Sequence, residues 1–357
     1  MEKIRENIAA ISESTPLYCQ AVALYDKIER ENAHTAEVNG ITLSYLEFGE
    51  KNAVPLIWAH GSGSNRYELF NVQAGLVKAG YRVISIDYRG HGKTQIEITD
   101  YNTSLYHIAD DIAALMDQLH IDKAIIGGLS KGGWVTAAFY DTYPDRVLGL
   151  LLEDGGSFSG IRLADDTKLN VVQPGPMPYP VEACNRLHKA TGFESRLEGV
   201  QAMLAVFLPA ISVGISTEYI AGILASLRQK ANGRWVYHCD SLRLMTSHEA
   251  GRNLGSEISG TTLYSRLPLM QQSQELMNPF VVFRNLHVPM HIIDPDSPTD
   301  WMPVRHQNEE LQKLHPDLIV HEVYDYEHSP HEAHIERPER FIESAKMLLA
   351  QVKLHTQ

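Results

Sequence analysis

The sequence is poor in cysteine, in long apolar runs and in positive charge, and each shortage excludes a class of protein. Its three cysteines among 357 residues have no CxxC spacing, which argues against a disulfide framework and a structural zinc site and suits a reducing compartment. No stretch is long and apolar enough to span a bilayer. With 31 Lys and Arg against 44 Asp and Glu, the formal net charge is −13, so we expect neither nucleic acid nor a membrane as a partner. The charged N-terminal segment lacks the apolar run of a secretory signal, and we expect a cytoplasmic protein.

The length and composition predict one globular core with one sizeable insertion. Hydrophobic residues make up 44% of the chain and charged residues 21%, both ordinary for a folded domain. We expect a helical extension at residues 1–36, a core at 37–155 and 287–357, and a helical insertion at 156–286. The extension could dock on a second subunit, which makes a homodimer one expectation.

Short apolar runs alternate with amphipathic segments through the predicted core. The apolar runs, which indicate buried strands, are Pro55–Ala59, Tyr81–Ile86, Lys123–Gly127 and Val147–Leu152. Tyr106–Leu119 and Gly132–Asp141 have helical spacing. This alternation predicts an α/β fold, with a mostly parallel sheet covered by helices on both faces. Before it, Asn39-Gly40 between two β-prone runs predicts a hairpin.

Gly128-Leu129-Ser130-Lys131-Gly132 carries the main chemical signal. It is a G-x-S-x-G motif that follows a predicted strand and opens a predicted helix. A serine on such a tight strand-to-helix turn exposes its hydroxyl, and side chains at the two glycine positions would clash there. Ser130 is therefore the predicted nucleophile.

His60-Gly61-Ser62-Gly63 follows the strand before it and predicts a loop whose backbone approaches the substrate. The backbone N–H groups of Ser62 and Lys131 are the predicted oxyanion donors. Gly61 and Leu129 would lie beside the bound substrate. We expect the Lys131 side chain to point to solvent; the alternative is that it biases the site toward acidic substrates.

These motifs together resemble the α/β-hydrolase superfamily. The resemblance rests on HGSGS at 60–64, DYRGHG at 87–92, GLSKGG at 128–133, an acidic turn near 294–300 and a His-containing turn before IERPE at 335–339. It covers about residues 38–354 without the insertion. The family implies an eight-stranded, mostly parallel sheet, a cap domain at the place of the insertion, and catalytic residues in the chain order Ser, acid, His. It implies no cofactor.

The resemblance leaves two candidates for the histidine. Relatives often carry Gly-His followed five residues later by Glu-x-Pro, and counting back from Glu336 selects His331. Matching a Gly-His-Ser-Pro-His-like string selects His328 instead, with residues inserted after it. We favour His331, because it needs no insertion, and expect His334 to be structural. The spacing of these three histidines could also suggest a metal, but no pattern elsewhere completes a site, so we expect none.

The acid also stays open. Aligning the helix that follows the acidic turn, as in relatives, selects Asp300. Asp296 is the second candidate. Some family members place the acid after the sixth strand, where this chain has Glu153 and Asp154.

The leading hypothesis is therefore a serine hydrolase that cleaves a carboxylic ester or lactone through an acyl-enzyme. The same triad also supports cleavage of a carbon–carbon, amide or peptide bond, and a ligand-binding receptor can be built on this scaffold. Met203, Phe207 and Tyr219 in the insertion are predicted to bind a moderately hydrophobic small molecule.

Overall fold

One eight-stranded sheet organises the structure. The structure is a computed structural model, and it describes residues 2–94, 96, 104–154, 161–164, 168–171, 192–207, 215–237, 279–296, 305–325 and 331–356. In these ranges the strands are β1 (Ala33–Val38), β2 (Ile41–Phe48), β3 (Val54–Ala59), β4 (Tyr81–Asp87), β5 (Ala124–Leu129), β6 (Val147–Glu153), β7 (Ile161–Ala164), β8 (Lys168–Val171), β9 (Leu227–Gln229), β10 (Trp235–Tyr237), β11 (Met290–Pro295) and β12 (Ile319–Tyr324). The sheet order is β1-β2-β4-β3-β5-β6-β11-β12. The pairings from β4 to β12 are parallel, and only those of β2 with β1 and with β4 are antiparallel. The expected mostly parallel, eight-stranded sheet is confirmed.

The first two strands form the hairpin that Asn39-Gly40 predicts. Both residues have positive φ, +45° and +77°, which is the backbone that a two-residue turn between twisted strands requires. The register pairs Val38 with Ile41 directly across the turn.

The central strands are buried on both faces, as the apolar runs predict. Alternate residues of β3 enter two separate clusters, with Ile57 and Ala59 in one and Leu56 and Trp58 in the other. Since successive strand side chains point to opposite faces, each cluster lies between the sheet and one layer of helices.

The helices described are α1 (Glu2–Ala9), α2 (Pro16–Glu31), α3 (Phe70–Ala79), α4 (Leu105–Gln118), α5 (Lys131–Thr142), α6 (Arg196–Phe207), α7 (Thr217–Ser226), α8 (Pro279–Val282), α9 (Arg305–Leu314), α10 (Ala333–Glu336) and α11 (Pro338–His355). In the part of the chain that the structure describes, no helix is long and apolar enough to cross a membrane.

The region between β6 and β11, called here the inserted region, contains both helices and strands where it is described. The helices are α6, α7 and α8, and two antiparallel pairs, β7–β8 and β9–β10, lie outside the main sheet. The N-terminal helices pack on this region, α1 against α6 and α2 against α7. The extension therefore docks on its own chain.

Candidate active site

The turn between β5 and α5 holds Ser130 in a strained conformation. Its φ is +53° and its ψ is −114°, outside the regions that non-glycine residues usually adopt. A Cβ at Gly128 would lie 2.3 Å from the Gly132 carbonyl carbon, and one at Gly132 would lie 1.9 Å from the Ala59 carbonyl oxygen. The two glycines of the motif are thus required by close backbone approach, which explains the local sequence.

His331 and Asp154 form a buried pair at the carboxyl edge of the sheet. The His331 Nδ1 lies in hydrogen-bond contact with the Asp154 carboxylate, although 177 residues separate them. Burial alone would lower the pKa of His331, but the Asp154 carboxylate outweighs it and raises this pKa to about 9. The pairing fixes which imidazole nitrogen carries the proton, as a catalytic base requires.

Glu68 engages the second N–H of the loop after β3, that of Gly61. The Gly61 N–H donates to one Glu68 carboxylate oxygen at 2.9 Å, and the Trp58 indole donates to the other at 2.7 Å. Burial raises the pKa of Glu68 to about 7. The Gly61 N–H is therefore engaged by Glu68, and the Ser62 N–H stays the oxyanion donor predicted from the sequence.

His60 supports the same loop through contacts with Tyr88 and with the Gly61 carbonyl group. Its ring stacks on Tyr88 with centroids 3.9 Å apart, and its Nδ1 lies 2.7 Å from the Gly61 carbonyl oxygen, which fits an N–H donor. Burial lowers the pKa of His60 to about 3, so the ring is neutral at physiological pH. It can support the loop without adding a charge.

The Lys131 side chain lies inside the protein. Only 3% of the residue is exposed, and its Nζ lies 4.6 Å from the centre of the Tyr88 ring. The expectation that this side chain points to solvent is wrong, because the aromatic face accommodates the ammonium group. The Lys131 backbone remains at the start of α5, where the helix dipole favours negative charge.

A second buried acid–histidine pair adjoins the first. The Glu153 carboxylate accepts from the His334 backbone N–H at 2.8 Å and contacts the ring Nδ1 at 2.9 Å. Burial would lower the pKa of His334, but Glu153 outweighs it and raises this pKa to about 9. Glu153 is therefore the partner of His334, a residue for which the sequence predicted a structural role but no partner.

A cavity of about 390 Å³ lies beside the Ser62 loop. Its walls come from the loop after β3, from α6 and α7 of the inserted region, and from residues 332–338. Of the predicted substrate residues, Met203 and Tyr219 line it. Leu129 packs in the core against Gly61. The Phe207 side chain lies outside what the structure describes.

A sequence model described as the alpha/beta hydrolase fold matches residues 54–338, most of the chain. This chain is an α/β hydrolase.

Individual relatives of this α/β hydrolase match shorter segments. It is 33% identical over 125 residues to 3-oxoadipate enol-lactonase 1 of Acinetobacter baylyi, which covers 32% of this chain and 46% of that protein. It is 29% identical over 173 residues to 2-hydroxy-6-oxo-6-phenylhexa-2,4-dienoate hydrolase of Comamonas testosteroni, covering 48% and 55%. The hydrolase thus spans about half the length of the curated relatives that it matches.

Solved structures share its fold over almost the whole length. A meta-cleavage product hydrolase superposes with a TM-score of 0.56 at 20% identity, covering 90% of this chain and 99% of that one. E-2-(acetamidomethylene)succinate hydrolase superposes with a TM-score of 0.55 at 18% identity, covering 89% and 98%. At these identities the likeness concerns the fold alone.

The acid candidates of this α/β hydrolase lie in different surroundings. Asp296 is exposed and pairs with Arg305 at 3.0 Å. Asp300, the acid favoured from the sequence, and His328, the second histidine candidate, fall outside the described residues. Among the acids considered from the sequence, Asp154 is the one that the described structure places on His331.

The described residues of this hydrolase contain no group of three His, Cys, Asp or Glu side chains that could hold a metal ion.

Proposed function

We propose that this α/β hydrolase cleaves a carboxylic ester or lactone with Ser130 as nucleophile, His331 as base and Asp154 as acid. The observation that carries the proposal is the buried contact between His331 and Asp154, beside a strained Ser130 turn that a G-x-S-x-G motif predicts. Asp154 replaces Asp300 in this proposal because of that contact. His334 also pairs with an acid, Glu153, but His331 is the histidine that stands at the position selected by counting back from Glu336.

In the first step, the Ser130 hydroxyl oxygen attacks the substrate carbonyl while its proton passes to His331. The resulting oxyanion accepts hydrogen bonds from the backbone N–H groups of Ser62 and Lys131. His331 returns the proton to the departing alcohol oxygen, and an acyl-enzyme remains on Ser130. Asp154 holds the imidazole with its proton on Nδ1 and stabilises the imidazolium.

In the second step, water attacks the acyl-enzyme as its proton passes to His331. The acid product leaves when this proton returns to the Ser130 oxygen. Both steps use the same groups, so no cofactor enters the scheme.

The substrate is proposed to be a moderately hydrophobic small molecule. The cavity beside the Ser62 loop supports this proposal, because Phe70, Met203, Tyr219 and Ile223 contribute to its walls. Its volume of about 390 Å³ suits a ligand of modest size.

Labelling with a fluorophosphonate tests the nucleophile. The wild type should gain one adduct by intact mass, and Ser130→Ala should gain none and lose about 10⁴-fold or more of its ester turnover. Ser14→Ala, which removes an exposed hydroxyl in the N-terminal extension, should label like the wild type. A folded wild type without an adduct would refute the proposal and bring a ligand-binding role forward.

Cleavage of a carbon–carbon bond is the second candidate, because a dienoate hydrolase matches 48% of this chain at 29% identity. The same triad serves both reactions, so substrate assays must separate them. Esters, lactones and vinylogous 1,5-diketones assayed side by side, with product analysis, decide between them. Turnover of the diketones alone would favour the second candidate.

A further inference from the structure

The last turn of α2 reaches the loop that carries Ser62. The Glu29 carboxylate accepts a hydrogen bond from the Tyr67 hydroxyl at 2.8 Å and also contacts the Arg66 guanidinium. Glu29 precedes the segment 54–338 that matches the family, so membership of the family assigns it no role. Its two partners follow Ser62 by only four and five residues.

Arg66 is buried between two carboxylates. Its side chain is 2% exposed, and its backbone N–H donates to the Asp87 carboxylate at 2.7 Å. Its Nε lies 3.8 Å from the other Asp87 oxygen, while Glu29 contacts its terminal nitrogen. Removing Glu29 would leave this buried guanidinium with Asp87 as its remaining carboxylate, and a buried charge that loses a partner costs free energy, so the surrounding backbone must then adjust.

The loop is also held from the inserted region. The Asn65 amide donates to the Gly222 carbonyl at 2.9 Å and to the Ser226 hydroxyl at 2.6 Å, both on α7. The Tyr237 hydroxyl of β10 donates to the Gly63 carbonyl. Contacts from the core, from α7, from β10 and from α2 therefore converge within five residues of Ser62.

The N-terminal helices are themselves anchored on the inserted region. The Gln201 amide of α6 donates to the Ile11 carbonyl at 2.8 Å, and the Arg196 guanidinium lies 4.5 Å from the centre of the Tyr25 ring. Tyr25 in turn stacks on Tyr67 with centroids 5.9 Å apart. Glu29 thus reaches the loop from a fixed support.

We propose that Glu29 is a positioning residue for the reaction, which fixes Arg66 and Tyr67 and, through them, the backbone N–H of Ser62 against the oxyanion. This inference rests on the proposed function. Oxyanion donors act only when they stand within hydrogen-bond distance of charge that develops in the transition state. A displaced Ser62 N–H therefore lowers kcat and leaves the KM for the substrate nearly unchanged.

The test compares Glu29→Ala and Glu29→Gln with Glu31→Gln, a matched change at an exposed neighbour that pairs with Arg30. On a p-nitrophenyl ester, Glu29→Ala should lower kcat about 10-fold and change KM less than about two-fold, and the rate of fluorophosphonate labelling should fall with kcat. Glu29→Gln keeps an acceptor for the Tyr67 hydroxyl, so its kcat should fall less than that of Glu29→Ala. Glu31→Gln should match the wild type.

A second change keeps the inference testable if Glu29→Ala does not fold. Tyr67→Phe removes only the hydroxyl that Glu29 accepts from, and it should lower kcat by a smaller factor. Melting temperatures separate the roles, since a purely structural Glu29 would lower the melting temperature while kcat, measured well below it, stayed unchanged. That result would overturn the inference alone. A wild type that neither labels nor turns over would overturn the proposed function and this inference together.

Discussion

Asp154 closes β6 with a φ of +39°, a left-handed conformation that Asp adopts more readily than most residues. Its N–H donates to the Ile293 carbonyl at 2.8 Å, so β11 holds the turn in place. Its carboxylate is buried against His331. A strained residue that a neighbouring strand supports, with its side chain on an imidazole, suits the acid of a triad.

Asp154→Asn should lower kcat about 10⁴-fold, because an amide no longer fixes the His331 tautomer. It should also move the pH dependence. The Asp154 carboxylate raises the pKa of His331 to about 9, and only neutral His331 can accept the Ser130 proton. The kcat/KM of the wild type should therefore rise with pH through this pKa, and in the variant the midpoint should lie at lower pH.

A pH–rate profile of the wild type and variant checks both expectations. Asp117→Asn, at an exposed carboxylate that pairs with Arg146, is the control and should leave the profile unchanged. A larger loss of kcat in Asp300→Asn than in Asp154→Asn would mean that Asp300, the acid favoured from the sequence, is the catalytic acid.

The pair of Glu153 and His334 should make the stability of the fold depend on pH. Glu153 raises the pKa of His334 from its ordinary value of 6.5 to about 9, so the folded chain holds this proton more tightly than the unfolded chain. The stabilisation is complete below about pH 6.5 and is lost as pH rises through about 9. His331 contributes with the same sign.

We expect the melting temperature to fall as the pH rises from about 6.5 to about 9, and to fall less in His334→Gln, which lacks one titrating group. Thermal unfolding across this range is the measurement. Equal slopes in the two proteins would mean that the pair of Glu153 and His334 does not contribute.

At the scale of elements, the turn between β5 and α5 shows why some features follow from sequence. A strand, a Gly-x-Ser-x-Gly turn and a helix are adjacent in the chain, so local pattern and sterics predict them together. The contact of Asp154 with His331 joins residues 177 positions apart. No local pattern connects such distant positions, so the sequence left Asp154 as one of several candidate acids. The burial of Lys131 depends on Tyr88 from another strand end, which no local pattern reveals.

Two glycine substitutions distinguish the effect of close backbone packing on stability from the effect of helix propensity. In Gly132→Ala the new methyl would lie 1.9 Å from the Ala59 carbonyl oxygen, so the β5–α5 turn cannot keep its geometry. In Gly222→Ala, within α7, the nearest atom would be the Tyr67 Cβ at 3.7 Å, an ordinary contact. We expect Gly132→Ala to lower stability by about 3 kcal/mol or to prevent folding, and Gly222→Ala to raise it by up to about 1 kcal/mol.

Denaturant unfolding of both variants beside the wild type measures these free energies. A Gly132→Ala protein as stable as the wild type would show that the turn is looser than its geometry requires.

At the scale of the molecule, negative charge extends from the surface into the cavity beside the Ser62 loop. The chain carries a formal charge of −13, and Glu218 and Glu332 contribute to the cavity walls. Glu68 also lines the cavity, but burial raises its pKa to about 7, so it carries only part of a charge near neutral pH. Among the described lining residues there is no Lys or Arg, and His334 is already paired with Glu153. Such a cavity opposes the entry of an anion and tolerates an uncharged group.

This charge should appear as a preference between two esters of nearly equal size. The p-nitrophenyl ester of monomethyl glutarate and that of glutarate itself differ by one methyl group and one negative charge. At the distances of a small cavity, one repulsive charge pair in a partly screened site corresponds to about a 10-fold loss, so we expect kcat/KM to favour the neutral ester by at least about this factor. Glu218→Gln removes one charge from the cavity wall and should reduce the ratio of kcat/KM for the neutral ester to that for the anionic ester. Added salt should reduce the same ratio, because Glu218 is exposed and its charge is screened. A wild type that prefers the anionic ester would mean that cations from outside the described lining dominate the site, and the expected substrate would then be a carboxylate.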